Sequence, residues 1–202
     1  RMEMSRLKKQ LKTAVRSHKL LKDKLDELMK QFLETVKENK MLRLEAEEAL
    51  EKAYKSFIIA QALMSNESLG EALLIPNRSV SVEVSDKNIM SVDVPVFKFN
   101  MESGSSDIFP YGTAFTPGEL DEAMTAFSDA TEPLLRLAES EKAAQLLAQE
   151  IEKTRRRVYA LENVMIPNYQ ETIKYIVMKL EENERSGTVR LMKVKDMVLK
   201  KT

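Results

Sequence analysis

The chain has 202 residues, of which 32% are charged, five are Gly, none is Cys and none is Trp. Without Cys there are no disulfides and no thiolate metal sites, as fits a reducing compartment. No apolar run approaches the ~20 residues that a bilayer-crossing helix needs, and no signal-peptide pattern is present. Glu, Lys, Leu and Ala dominate, the composition of long helices. The formal net charge of zero conceals a strong gradient. Residues 1–24 carry nine Lys or Arg against Glu3 and Asp23, residues 188–202 carry five against Asp196, and residues 65–152 carry five against sixteen acids.

The first predicted element is a long helix over 1–64. Met4, Leu7, Leu11, Ala14, His18, Leu21, Leu25 and Leu28 recur at alternating steps of three and four, a left-handed heptad seam. The seam reaches Phe32, falters at Thr35 and Asn39, and resumes at Leu42, Ala46, Ala49 and Ala53, where small residues let a partner helix approach closely. No Gly or Pro lies between Arg1 and Leu69 to break it, and about 60 helical residues span roughly 90 Å. Apolar residues off the seam, among them Leu20, Leu33, Val36, Phe57, Ile58 and Ile59, point to contact with the central segment or with other chains.

The central segment, 65–133, changes period. Ser79–Val84 and Met90–Val96 alternate polar and apolar residues, so a β-hairpin is expected over about 79–97. Its turn is expected at Asp86-Lys87-Asn88, with Val80, Val82 and Val84 on one buried face against Met90, Val92, Val94 and Val96. Pro95 marks an edge strand. Residues 100–118 read as loop. Thr116 and Glu119 form a capping box with Pro117 at the first helical position, starting a short helix over about 117–130. Pro133 is expected to separate it from the last helix.

The last predicted helix, 134–200, carries a matching seam: Ala144, Leu147, Ile151, Thr154, Val158, Leu161 and Met165, then Tyr169, Ile173, Ile176 and Leu180 after a stutter. Pro167 lacks a backbone donor, so a bend is expected beside it. Asn183–Gly187 is a weak spot, after which Leu191, Val194 and Val198 resume the seam. The fold class is therefore mainly α: two long terminal helices paired antiparallel in a left-handed coiled coil, with a hairpin and short helix between them. Both basic termini would meet at one tip, opposite an acidic end.

Little in the chain carries chemistry. The phosphate-loop, dinucleotide, zinc-protease and nucleophile-elbow motifs are all absent, so no cofactor and no metal are expected. His18 is the only His. At a seam position it reads as a polar core residue that fixes register. Arg155-Arg156-Arg157 cover nearly a full helical circumference, so they are not all explained by one solvated face. Nucleic-acid binding would need interleaved aromatics and a basic net charge, so no nucleic acid is expected as partner. The twelve Met fit adaptable packing.

Several runs resemble a known family. Leu7-Lys8-Lys9-Gln10-Leu11, His18–Lys24 and Asp26-Glu27-Leu28 are similar to the first helix of the D subunit of V-type (archaeal and bacterial A/V-type) ATPases. Glu152–Glu162, Ile166-Pro167, Glu171–Ile176, Met178–Arg185, Arg190-Leu191 and Lys193-Val194-Lys195 resemble its last helix, and Lys87–Val92 with Val94-Pro95 its hairpin. The similarity covers nearly the whole chain in order. It implies a central rotor shaft, itself non-catalytic, in a complex that couples ATP hydrolysis or synthesis to ion translocation. It implies a cytoplasmic chain, peripheral to the membrane with no direct insertion. The implied partners are the catalytic and nucleotide-binding subunits of the ring, the small globular F subunit, and the central-stalk adaptor of the membrane sector. Leu7, Lys8, Lys9, Arg16, Lys22, Leu191, Lys193 and Lys195 would face the ring at the tip. Arg155, Arg156 and Arg157 would lie on the shaft or near the F subunit, and Val82, Val84, Ile89, Met90, Val92 and Val94 would build the central hairpin. The alternative from the residues alone is a non-rotary coiled-coil scaffold or adaptor, which would self-associate where a shaft is single-copy.

Overall fold

The computed structural model describes residues 2–74, 78–103, 109, 111–112 and 116–199. Helix α1 runs Met2–Leu63 and a short α2 covers Asn66–Ala72. Strands β1 (Arg78–Ile89) and β2 (Val92–Ser103) form one antiparallel hairpin. Helix α3 spans Gly118–Ala160, a π turn Leu161–Met165, and helix α4 Ile166–Leu199. The chain divides into two compact units: one of residues 1–27 and 151–202, the other of residues 28–150.

In the first unit the start of α1 lies antiparallel to the end of α3 and to α4. The predicted seam faces inward: Met4, Leu7, Leu11, His18, Leu21 and Leu25 are half-buried, and Ala14 is buried. Opposite them Ile151 and Thr154 are buried, and Val158, Leu161, Tyr169, Ile173, Ile176 and Leu180 are half-buried. Three expectations are corrected here. Met165 is 41% exposed and Ile166 takes the inward place. The seam therefore steps five residues, from Leu161 to Ile166, within the π turn instead of stuttering after Met165. Beyond Leu180, residues that would resume the seam stand in solvent: Leu191, Val194 and Val198 are all at least half exposed. The expected weak spot at Asn183–Gly187 is continuous helix.

In the second unit, Leu28, Ala46, Ala53 and Ala60 of α1 are buried with Leu120, Ala123, Ala130, Ala143 and Leu147 of α3. Fully burying one Leu is worth about 1.5–3 kcal/mol, so these residues carry much of the pairing. Edge-to-face contacts of Phe127 with Tyr54 and Phe57 extend it. Helix α2 was not anticipated. Ser65 caps it, accepting from the Ser68 N–H at 3.2 Å, and Leu69 and Ala72 pack with Ala60 and Leu120.

Pro133 does not end a helix: α3 runs through it. A proline inside a helix costs about 3 kcal/mol, but buried residues on both sides, Ala130 and Ala143, hold the segment on α1. The helix begins at Gly118, and the Thr116 hydroxyl donates to the Gly112 carbonyl at 3.0 Å. Strand β2 extends to Ser103, into the predicted loop. Most of the remaining loop lies outside the described residues.

The hairpin turn also moves. It lies at Met90-Ser91, with φ of 51° and 68°, not at Asp86–Asn88. Two successive left-handed residues match the twist of a two-residue hairpin at a cost of about 1–2 kcal/mol each for side chains other than Gly. Asn88 offsets part of that cost, accepting from the Ser91 N–H at 3.1 Å and donating to Asp93 at 2.6 Å.

Candidate partner-binding surfaces

The register sorts the hairpin side chains onto two faces, because directly paired residues share a face. Val82 pairs with Phe99 and Val84 with Phe97, while Ile89 pairs with Val92 and Lys87 with Val94. The single apolar face expected from alternation is thus two. The stripe carrying Ile89, Val92, Val94 and Val96 is seated on the helices: Val92 and Val94 are only 9% and 4% exposed. The other stripe is open, with Val82 40% and Val84 62% exposed. Met90 sits in the turn and is exposed.

The seat is partly polar. The Phe97 N–H donates to Glu139 Oε2 of α3 at 3.2 Å. Beside it lies a cavity of about 470 Å³ between the hairpin and the two helices, lined by Thr35, Leu42, Val94, Glu139 and Ala143 among others. Tyr111 donates to Asp121 at 2.7 Å. Burial, and then the bond to Asp121, push its phenol above the ordinary range.

The first unit presents charge. Lys8, Lys9, Arg16 and Lys22 on α1 are exposed, Leu7 is half-buried in the seam, and Lys193 and Lys195 on α4 are exposed with Leu191. Arg155, Arg156 and Arg157 are all exposed, and Arg156 pairs with Glu152 one turn back. His18 Nε2 comes within 3.4 Å of Glu162 Oε2 in the π turn, so the lone His spans the two helices. Heptad counting identified the seam position of His18, but Glu162 escaped it because the π turn aims it.

No cluster of His, Cys or acidic residues with metal-binding geometry occurs among the described residues. No helix among them is long and apolar enough to cross a membrane. The first unit exposes cations on α1 and α4 and apolar side chains on α4, and the second unit exposes one face of its hairpin.

Such a chain falls in the class of mainly helical proteins with long terminal helices and a central β-hairpin. It belongs to the ATP synthase D-subunit family, whose profile matches residues 3–196. It is 78% identical over 201 residues to the V-type ATP synthase D subunit of Clostridioides difficile (strain 630), covering 100% of this chain and 90% of that protein. It is 62% identical to the corresponding V-type ATP synthase D subunit of Acetivibrio thermocellus, covering 98% and 90%. That of Clostridium botulinum (strain Alaska E43 / Type E3) is 56% identical, covering 98% and 94%.

Proposed function

We propose that this chain is the central-stalk rotor axle of a V-type ATPase or ATP synthase, a non-catalytic part that couples ATP turnover in the ring to ion translocation in the membrane sector. Membership of the D-subunit family, together with a heptad seam buried between antiparallel helices, carries this reading. A closed seam resists sliding of one helix past the other, so a twist applied to one end is passed along. The axle works by biasing which ring interface is open, since a rotating asymmetric body makes different contacts at each angle.

In this reading residues 1–64 and 134–200 are the shaft helices and 65–133 the central segment. Leu7, Lys8, Lys9, Arg16, Lys22, Leu191, Lys193 and Lys195 face the catalytic and nucleotide-binding subunits. Arg155, Arg156 and Arg157 lie on the shaft toward the F subunit, and the central hairpin lies toward the same partner and the membrane-sector adaptor. The chain is cytoplasmic and peripheral to the membrane, and it takes no nucleic acid. Exposed cations suit contacts that are individually weak and salt-screened, as a turning part requires. The test mixes the purified chain with the catalytic ring and the F subunit. Co-elution at one copy per ring with a changed ATPase rate is expected. Self-association without ring binding would instead indicate a scaffold.

A further inference from the structure

The π turn at Leu161–Met165 coincides with a one-residue fault in the seam. Upstream, Ile151, Thr154, Val158 and Leu161 step by three, four and three, and downstream Ile166, Tyr169, Ile173, Ile176 and Leu180 step by three, four, three and four. A heptad calls for four residues between Leu161 and the next core position, and the chain has five. A π turn holds one residue more than an α turn, so it absorbs the extra residue and keeps both stretches on α1. The Ile166 N–H bonds to the Leu161 carbonyl, five residues back. Pro167 follows and lacks a donor of its own.

Three further features make this turn soft. No residue in it is buried, and Glu162 through Met165 are exposed. A cavity of about 380 Å³ lies beside it, lined by Ala14, Ser17, Leu161, Met165 and Tyr169 among others. Its ties are peripheral: Asn163 Nδ2 donates to the Tyr159 carbonyl at 3.3 Å, and Glu162 reaches His18.

We propose that the π turn is a torsional joint in the first unit: it lets residues 166–180 twist relative to residues 151–160 while each stretch keeps its own seam with α1. The turn is set by the phase of the seam, and Pro167 only deepens it. One extra residue corresponds to about 100° of helical phase, which the wide turn holds without unwinding its neighbours. The inference does not depend on which complex the chain joins.

Hydrogen exchange on the purified full chain tests it, because local opening is read amide by amide. Amides 162–166 should exchange at least about tenfold faster than amides 152–158. Deleting Asn163, or in a second variant the exposed Val164, brings the two seam stretches into one heptad phase. Each deletion should abolish the fast window and raise the thermal midpoint by about 2–4 °C. Pro167→Ala should leave the window in place. Uniform protection in the natural chain would overturn the proposal. So would a fall in midpoint or loss of folding in both deletions, or disappearance of the window in Pro167→Ala, which would make proline its cause.

Discussion

The backbone amide of Phe97 donates to the Glu139 carboxylate across the gap between β2 and α3. The bond joins residues 42 positions apart in sequence. It stands beside the cavity that Glu139 helps to line, so it ties the hairpin to α3 at a place where apolar packing is incomplete. A hydrogen bond to a charged acceptor contributes about 1.5–3 kcal/mol. Glu139→Ala should therefore speed exchange of the Phe97 amide by about tenfold or more, with Glu139→Gln intermediate. Equal protection in all three proteins would show that Val92 and Val94 suffice to seat the strand.

The cores of the two helices should respond unequally to size. Leu28 and Leu120 have no exposed surface and Leu147 is 1% exposed, so each Leu→Ala change should cost about 2–5 kcal/mol. Ala53 also has no exposed surface, so Ala53→Leu should cost about 1–3 kcal/mol through overpacking. Leu191→Ala, at 72% exposed, should leave urea stability within about 0.5 kcal/mol. Losing ring binding through Leu191→Ala at unchanged stability is the signature expected of a contact residue.

Gly187 lies inside α4, and a Cβ added there would meet nothing within 4 Å. Gly187→Ala should stabilise the helix by about 0.5–1 kcal/mol, mainly by restricting the unfolded chain. Circular dichroism on heating measures this, and a decrease would mean that Gly187 serves a conformation other than straight helix.

Tyr111 gives the chain an alkaline limit. Its phenol is held neutral above the usual pH of ionisation by burial and by Asp121. With the folded value raised, the stabilisation is complete below the unfolded value near 10 and is lost as pH rises beyond it. The unfolding midpoint in urea should therefore fall between about pH 10 and 12, and Tyr111→Phe should flatten that fall. A slope unchanged by the substitution would assign the alkaline loss to Lys residues instead.

Much of the fold was legible because heptad spacing is a strong, repeated signal. Leu7 to Leu28 face inward as counted, and the exposed Lys8, Lys9, Arg16 and Lys22 follow from the same count. The errors arose where a single residue decides. Met165 and Ile166 are both apolar neighbours, and only the π turn selects between them. Alternation predicted strands at Val82 and Val94 but not their opposite faces, because facing depends on where the turn falls, and the turn falls at Met90-Ser91, beyond the Asp86–Asn88 that composition suggested. Pro133 read as a stop since its local cost was visible and the burial of Ala130 on α1 was not. Leu191 keeps a regular heptad place yet stands in solvent, because the inward-facing stretch of α4 ends at Leu180.

The hairpin register restricts how this part of the chain can vary in length. With Ile89 paired to Val92, one residue inserted at Met90-Ser91 would either widen the loop or shift β2 by one place. A shift would turn Val92 and Val94 outward and bring Asp93 and Pro95 onto the helices, since neighbouring strand residues point to opposite faces. Substitutions at Met90 and Ser91 that tolerate left-handed backbone are thus permitted where insertions are not. Drift in loop length should accumulate elsewhere, leaving these two positions as a fixed ruler for the central segment.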